Sequence, residues 1–243
     1  MTGSRLRGIN SNPAAAAAWI TLGLAALLGA CSVGFDVPLR PGGDATWEDE
    51  LLGYWKVELE GEEGAGVALL HRGEDGSLRL DALGPDGGLV GADLQFASHG
   101  GRDYAVLDLG SFRTLDPGDP AVGRVGEQTV FGVPLLPKGT KSYGVALLRR
   151  EADRLTVYEL DEEAVKADLA GESLAGVQSE GCDSSRPAVR PGQVDSQAPI
   201  AEGRPHWACI LRIGSEAALR DYLGSRGDSI FDLEKPIRLT RLF

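Results

Sequence analysis

Histidine, cysteine and aromatic side chains are scarce in this chain of 243 residues, which has three histidines, three cysteines and 6% Phe, Trp and Tyr. The scarcity narrows the chemistry. Structural and catalytic zinc sites are built from His, Cys and carboxylates at short, defined spacings. Here His71 lies in a strand-like run with Val67 and Leu69 and is expected to pack, His99 sits in a glycine turn, and His206 borders a polar stretch. None has partners at ligand spacing, so no metal and no other cofactor is expected. With so few aromatics there is no platform on which sugars or single strands would stack, and Trp207 beside His206 reads as a core residue. Nor is there a basic stripe. Asp and Glu number 36 against 24 Lys and Arg, a formal net charge of −12, which argues against nucleic acid and against electrostatic adhesion to anionic lipid. The densest acidic stretch, residues 44–63, matches no calcium-loop spacing and reads as a solvated face.

Catalytic motifs are missing as well. There is no Gly-x-Ser-x-Gly elbow. Gly64 and Gly66 lack dinucleotide spacing, and Pro137-Lys138-Gly139-Thr140 places its lysine ahead of the glycine, the reverse of a phosphate loop. Gly227-Asp228-Ser229 is similar to the opening of the Gly-Asp-Ser-Leu hydrolases. In that family, however, the motif follows an early strand, whereas here it follows the last helical pattern and reads as a helix stop. No enzyme activity is expected.

What the sequence does hold begins at its start. Arg5 and Arg7 precede a stretch without charge from Gly8 to Phe35, and residues 14–30 are almost wholly apolar. A basic start, a short apolar core and small residues after it mark a secretory signal, and the run is too short and too rich in Ala and Gly for a membrane span. It ends in Leu28-Gly29-Ala30-Cys31, which resembles the lipobox of bacterial lipoproteins. The resemblance implies diacylglyceryl (and usually further palmitoyl-type) modification at Cys31, cleavage before it, and stable anchoring by several acyl chains. Ser32, rather than Asp, follows the cysteine, and by enterobacterial sorting favours the periplasmic face of the outer membrane. The chain then divides into a signal over residues 1–30, a lipidated tether over 31–46 rich in Pro and Gly, and one domain over 47–243.

That domain reads as mainly β, an antiparallel barrel or sandwich of about eight strands with two late helices and a closing strand. Alternating runs fall at residues 54–60, 66–72, 77–83, 89–98, 104–109, 128–133, 143–149 and 155–160, separated by glycine-rich turns. Gly73-Glu74-Asp75-Gly76 and Gly100-Gly101 supply the positive φ that tight hairpins need. Asp161 is placed to cap a helix over 162–170 ended by Gly171, and Ser215 to cap a better one over 216–226 ended by Gly227. Residues 179–205, rich in Ser, Pro, Gly and Gln, read as a long flexible loop. Residues 207–213 return to strand character, and 237–243 alternate as the closing strand.

Leu52-Gly53-Tyr54-Trp55 on the first strand resembles the Gly-x-Trp signature of lipocalins and their calycin relatives. The resemblance implies an up-and-down barrel with Gly53 and Trp55 packing its base, Arg238 or Arg241 against the tryptophan, and a small apolar ligand at the open end. The alternative is a core tryptophan of any small β unit. Residues 158–177 and 213–231, including Gly171-Glu172-Ser173-Leu174-Ala175-Gly176, resemble the C-terminal parts of bacterial envelope lipoproteins of similar layout, a likeness that implies no activity. Once Cys31 is acylated, Cys182 and Cys209 remain as an even pair in an oxidising compartment, where a disulfide would close the long loop. The alternative is a buried Cys209 and a spare thiol. Two readings follow: a non-enzymatic lipid-anchored envelope lipoprotein that binds an envelope protein or assembles with it, or a carrier of a small apolar ligand.

Overall fold

The computed structural model describes residues 33–41, 47–59, 65–83, 89–115, 129–130, 133–134, 141–171, 173–180 and 209–243. Eight antiparallel strands close into a barrel. In order around the wall they are β2 (Gly53–Leu59), β3 (Ala65–Arg72), β4 (Leu78–Leu83), β5 (Leu89–His99), β6 (Arg102–Leu115), β9 (Tyr143–Glu151), β10 (Arg154–Tyr158) and β13 (Ile237–Arg241), which returns to β2. Closure rests on two ladders, Leu155↔Leu239 between β10 and β13 and Leu239↔Val57 between β13 and β2. Each wall strand pairs with its sequence neighbour in the wall, so the barrel is an up-and-down meander with no free edge of its own.

Alternation explains the wall. Trp55, Val57, Ala68, Leu70, Leu80, Leu94, Phe96, Leu107, Leu148, Leu155 and Leu239 form one buried core, while the positions between them carry Lys56, Glu58, Arg79, Asp81, Asp93 and Arg238. Apolar inside and charged outside is the reverse of the order a lipid-spanning barrel needs. Among the described residues no helix is long and apolar enough to cross a membrane. At one end the connections are tight. Gly76 has φ 79°, and Gly100 and Gly101 have φ 59° and 75°, a conformation that a side chain would strain. A β-bulge between Gly91 and Asp93 interrupts the β5–β6 ladder.

The second feature is a flank built on the outside of this wall. β1 (Val33–Phe35) pairs antiparallel with β9 through Phe35↔Tyr143, and parallel with β12 (Cys209–Arg212) in the register Val33↔Cys209. β11 (Gln178–Glu180) adds the outer edge. Over this extension lie α1 (Glu162–Ala170), α2 (Glu216–Arg226) and a 3-10 turn at Gly227–Ile230. Asp161 caps α1 by accepting from the Glu163 and Ala164 amides, and Ser215 caps α2 by accepting from Ala218. Their apolar faces, with Val33, Phe35, Leu39, Leu211 and Leu219, meet the outward residues Ala97, Tyr104, Val106, Val145 and Leu147 of β5, β6 and β9 in a second core. Where the flank covers them, these three strands are therefore apolar on both faces.

The mainly β barrel with two late helices and a closing strand agrees with expectation, and three local readings are corrected. Residues 33–41 are built into the fold, so the expected tether over 31–46 does not describe them. Val33, Phe35 and Leu39 are at most 1% exposed. The run expected as a barrel strand at 128–133 instead supplies β7 (Thr129–Val130) and β8 (Val133–Pro134), a separate two-stranded pair, and the closing strand takes its place in the wall. The flexible loop expected over residues 179–205 does not describe Ser179 and Glu180, which belong to the strand Gln178–Glu180, and residues 181–205 lie outside the described residues.

Candidate functional site: a barrel sealed at its hairpin end

Two tryptophans close the hairpin end. A 3-10 turn at Asp49–Leu51 runs across it into β2, and the Trp55 indole Nε1 donates to the Leu51 carbonyl at 2.9 Å. Trp55 is 1% exposed, and the Arg241 guanidinium lies 4.9 Å from its ring centroid. The same arginine donates to the carbonyls of Leu52 and Glu50, tying the last strand to the turn. Gly53, at φ 134°, makes the bend between turn and strand. Across the base Trp47 packs on Phe96 with ring centroids 5.1 Å apart, beneath Arg150 at 4.2 Å. Arg150 donates to Asp103, which also accepts from Ser98. A cation over an aromatic face contributes about 0.5–1 kcal/mol at exposed sites and more when desolvated. Arg241 thus takes the tryptophan-packing place for which Arg238 was the other candidate, and Arg238 is exposed.

At the hairpin end the inward residues are Trp55, Leu70, Leu78, Phe96, Leu148 and Leu155. Toward the other end the lumen face carries Gly66, Ala82, Ala92 and Gly144, read from alternation with buried neighbours on the same strands, among the larger Val57, Leu107, Leu109 and Ile237. At that end β10 runs on past Tyr158, and Leu160 bridges Phe231. This pairing sets Glu159 opposite Asp232, and Glu159 continues the inward series of Leu155 and Val157. Desolvation, helped by the charge of Asp232, pushes the Glu159 carboxyl up to about 8. It is a mostly neutral acid at pH 7, held where solvent reaches it only in part. No signal in the sequence marked this residue, because the bridge that places it joins segments about 70 residues apart.

Other polar clusters hold the flank. Asp168, 6% exposed, accepts from the Tyr222 hydroxyl at 2.9 Å and from Arg226 at 2.8 Å, joining α1 to α2. Burial first, and then the bond to Asp168, raise the Tyr222 phenol. Asp228 accepts from Arg102 and Arg149, and those bonds, the one to Arg102 foremost, hold its carboxyl below the usual range. Ser229 donates to the Arg226 carbonyl, so Gly227-Asp228-Ser229 is the helix stop expected of it. His71 differs from expectation. It is on the outer wall, a third exposed, with Nε2 2.7 Å from Asp81, because the inward positions of β3 are Ala68 and Leu70. His99 abuts α2 at Gly224.

Among the described residues no three His, Cys, Asp or Glu side chains gather as a metal group would. Cys209 is 3% exposed in the second core, while Cys31, Cys182, His206 and Trp207 lie outside the described residues. No protein family, no curated protein and no solved structure matches the chain.

Proposed function

We propose that this chain is a bacterial lipoprotein, acylated on Cys31 at the cell envelope, whose sealed barrel serves as a non-enzymatic binding or assembly module. The observation that carries the reading is the lipobox Leu28-Gly29-Ala30-Cys31 at the end of a basic start and an apolar run. Among the described residues the first strand opens at Val33, two residues after that cysteine, so cleavage before Cys31 would spare every described element. Ser32 favours the periplasmic face of the outer membrane. A Cys31→Ser chain should stay unprocessed or soluble and lose incorporation of labelled palmitate; unchanged labelling would sink the proposal. Native mass spectrometry of the periplasmically made domain would then show whether a protein or a lipid copurifies.

A second reading, a calycin-like carrier of a small apolar ligand, draws support from Trp55 beneath Arg241 and from the small lumen residues at the opposite end. Its expected readout is displacement of a fluorescent acyl probe. Ala82→Trp, which fills the lumen, should abolish binding while the far-ultraviolet spectrum is kept. Unchanged probe affinity in that variant would defeat the carrier reading. A disulfide between Cys182 and Cys209 belongs to the same proposal. It is supported by the register Glu180↔Ile210, which brings the chain within two residues of each cysteine.

A further inference from the structure

We infer that the flank from which β1 starts rests directly on the bilayer, so that the lipid on Cys31 fixes the orientation of the domain instead of tethering it at a distance. This rests on the lipoprotein reading of Cys31. Only Ser32 separates Cys31 from Val33, and two residue steps span about 7 Å at full extension. A free tether over residues 31–46 would give roughly 20 Å on average and about 55 Å at most. Residues 33–40 cannot supply that slack. Val33 pairs with Cys209, and the Asp36 amide donates to the Leu211 carbonyl at 3.0 Å. Asp36 in turn accepts from the Ile213 and Gly214 amides. The Arg40 amide donates to Glu216, and the Arg40 carbonyl accepts from Arg220 at 2.7 Å.

The strand order names the apposed face. Neighbouring strands lie about 4.8 Å apart, so β11, two strands from β1, has its exposed Ser179 within roughly 17 Å of the acylated cysteine. β3 lies four strands from β9 in either direction around the wall, and the β3–β4 turn at Glu74 is on the far side. Maturation removes Arg5 and Arg7 and no acid, which takes the net charge from −12 to −14, so the body is not drawn to anionic headgroups and the covalent link alone sets the orientation.

The test uses the full chain matured in a bacterial envelope, with acylation verified by intact mass, in vesicles of phosphatidylethanolamine and phosphatidylglycerol carrying a headgroup quencher. Fluorophores are placed on Ser179→Cys and on Glu74→Cys. The Ser179 label should be quenched several-fold more than the Glu74 label. A Gly/Ser insertion of about ten residues between Ser32 and Val33 should remove the difference. Equal quenching at both positions in the acylated chain, or a difference that survives the insertion, would overturn the docking and leave the lipoprotein reading standing. A mass without acyl groups would remove both.

Discussion

The barrel and its flank solve the same problem by different means. Inside the barrel a continuous meander buries one face of each strand against the others, and every wall pairing joins strands that follow one another around the wall. The flank has no such continuity. Its core draws on residues 33–39, 160–177 and 209–231, and its central ladder is parallel, Val33↔Cys209. A parallel pair needs a long crossover, and here the crossover holds seven of the eight barrel strands, all but β13. Seven of the barrel strands can thus assemble from neighbouring pairs, whereas the closing β13–β2 ladder and the flank must both await the joining of distant parts of the chain, a step with high loop-closure entropy.

Removing β1 should separate the two most sharply. Val33, Phe35 and Leu39 are essentially unexposed, and their burial stabilises by on the order of 5–9 kcal/mol. Replacing residues 33–41 by a Gly/Ser linker should expose the outer faces of Tyr104, Val106, Val145 and Leu147. Amide exchange should then rise throughout α1, α2 and β12 while β2–β5 stay protected. Loss of protection in both regions together would show that the barrel cannot stand alone.

Trp55→Ala reverses the test. It removes a fully buried indole and its contacts with Arg241 and the Leu51 carbonyl, at a cost of about 3–5 kcal/mol. Urea unfolding should report that loss in the barrel. A change below roughly 1 kcal/mol would mean that the base is held by the Trp47–Arg150 side alone.

How much of each region was legible in the sequence follows the same division. Strict alternation around Trp55, the Asp75–Gly76 and Gly100-Gly101 turns, and the caps Asp161 and Ser215 are local signals, and the structure places strands, turns and helices where they point. Three misses have one cause. Val33–Phe35 is three residues long and reads as linker because Pro38, Pro41, Gly42 and Gly43 follow it; its strand character comes from β9 and β12. Gly34 earns its place only in that packing, where a Cβ would collide with the Ser142 hydroxyl. Gln178–Glu180 has no apolar residue at all and is strand only because β12 offers a ladder. Glu159 looked like the tail of an alternating strand, and its burial depends on Asp232.

The flank's other joint is the proposed cystine. If Cys182 and Cys209 are joined, the bond closes a loop of roughly 27 residues and stabilises by about 3–4 kcal/mol on the chain-entropy estimate. Cys182→Ser should lower the unfolding midpoint by that amount and expose one reactive thiol upon denaturation. Two labelled thiols in the native exported protein would break the pairing.

The effect that depends on pH is the one that distinguishes the barrel's two ends. The Glu159 carboxyl titrates near 8 in the folded chain because burial desolvates it and Asp232, itself 3.4 Å from Lys235, adds negative charge nearby. In the unfolded chain it returns to about 4.3. Below pH 4 both states hold the proton, and the site contributes no pH dependence. Between those values the folded state binds more protons than the unfolded one, so raising the pH draws the equilibrium toward unfolding, by at most about 1.4 kcal/mol per pH unit. Above pH 8 the penalty is complete and constant. Glu159→Gln keeps the shape and removes the charge. Its unfolding midpoint in urea should match the parent near pH 4 and exceed it increasingly up to pH 9, whereas Trp55→Ala at the opposite end should shift the midpoint by the same amount at every pH. Parallel pH profiles for the parent and Glu159→Gln would place the carboxyl in open water and remove the acid from the barrel's lumen.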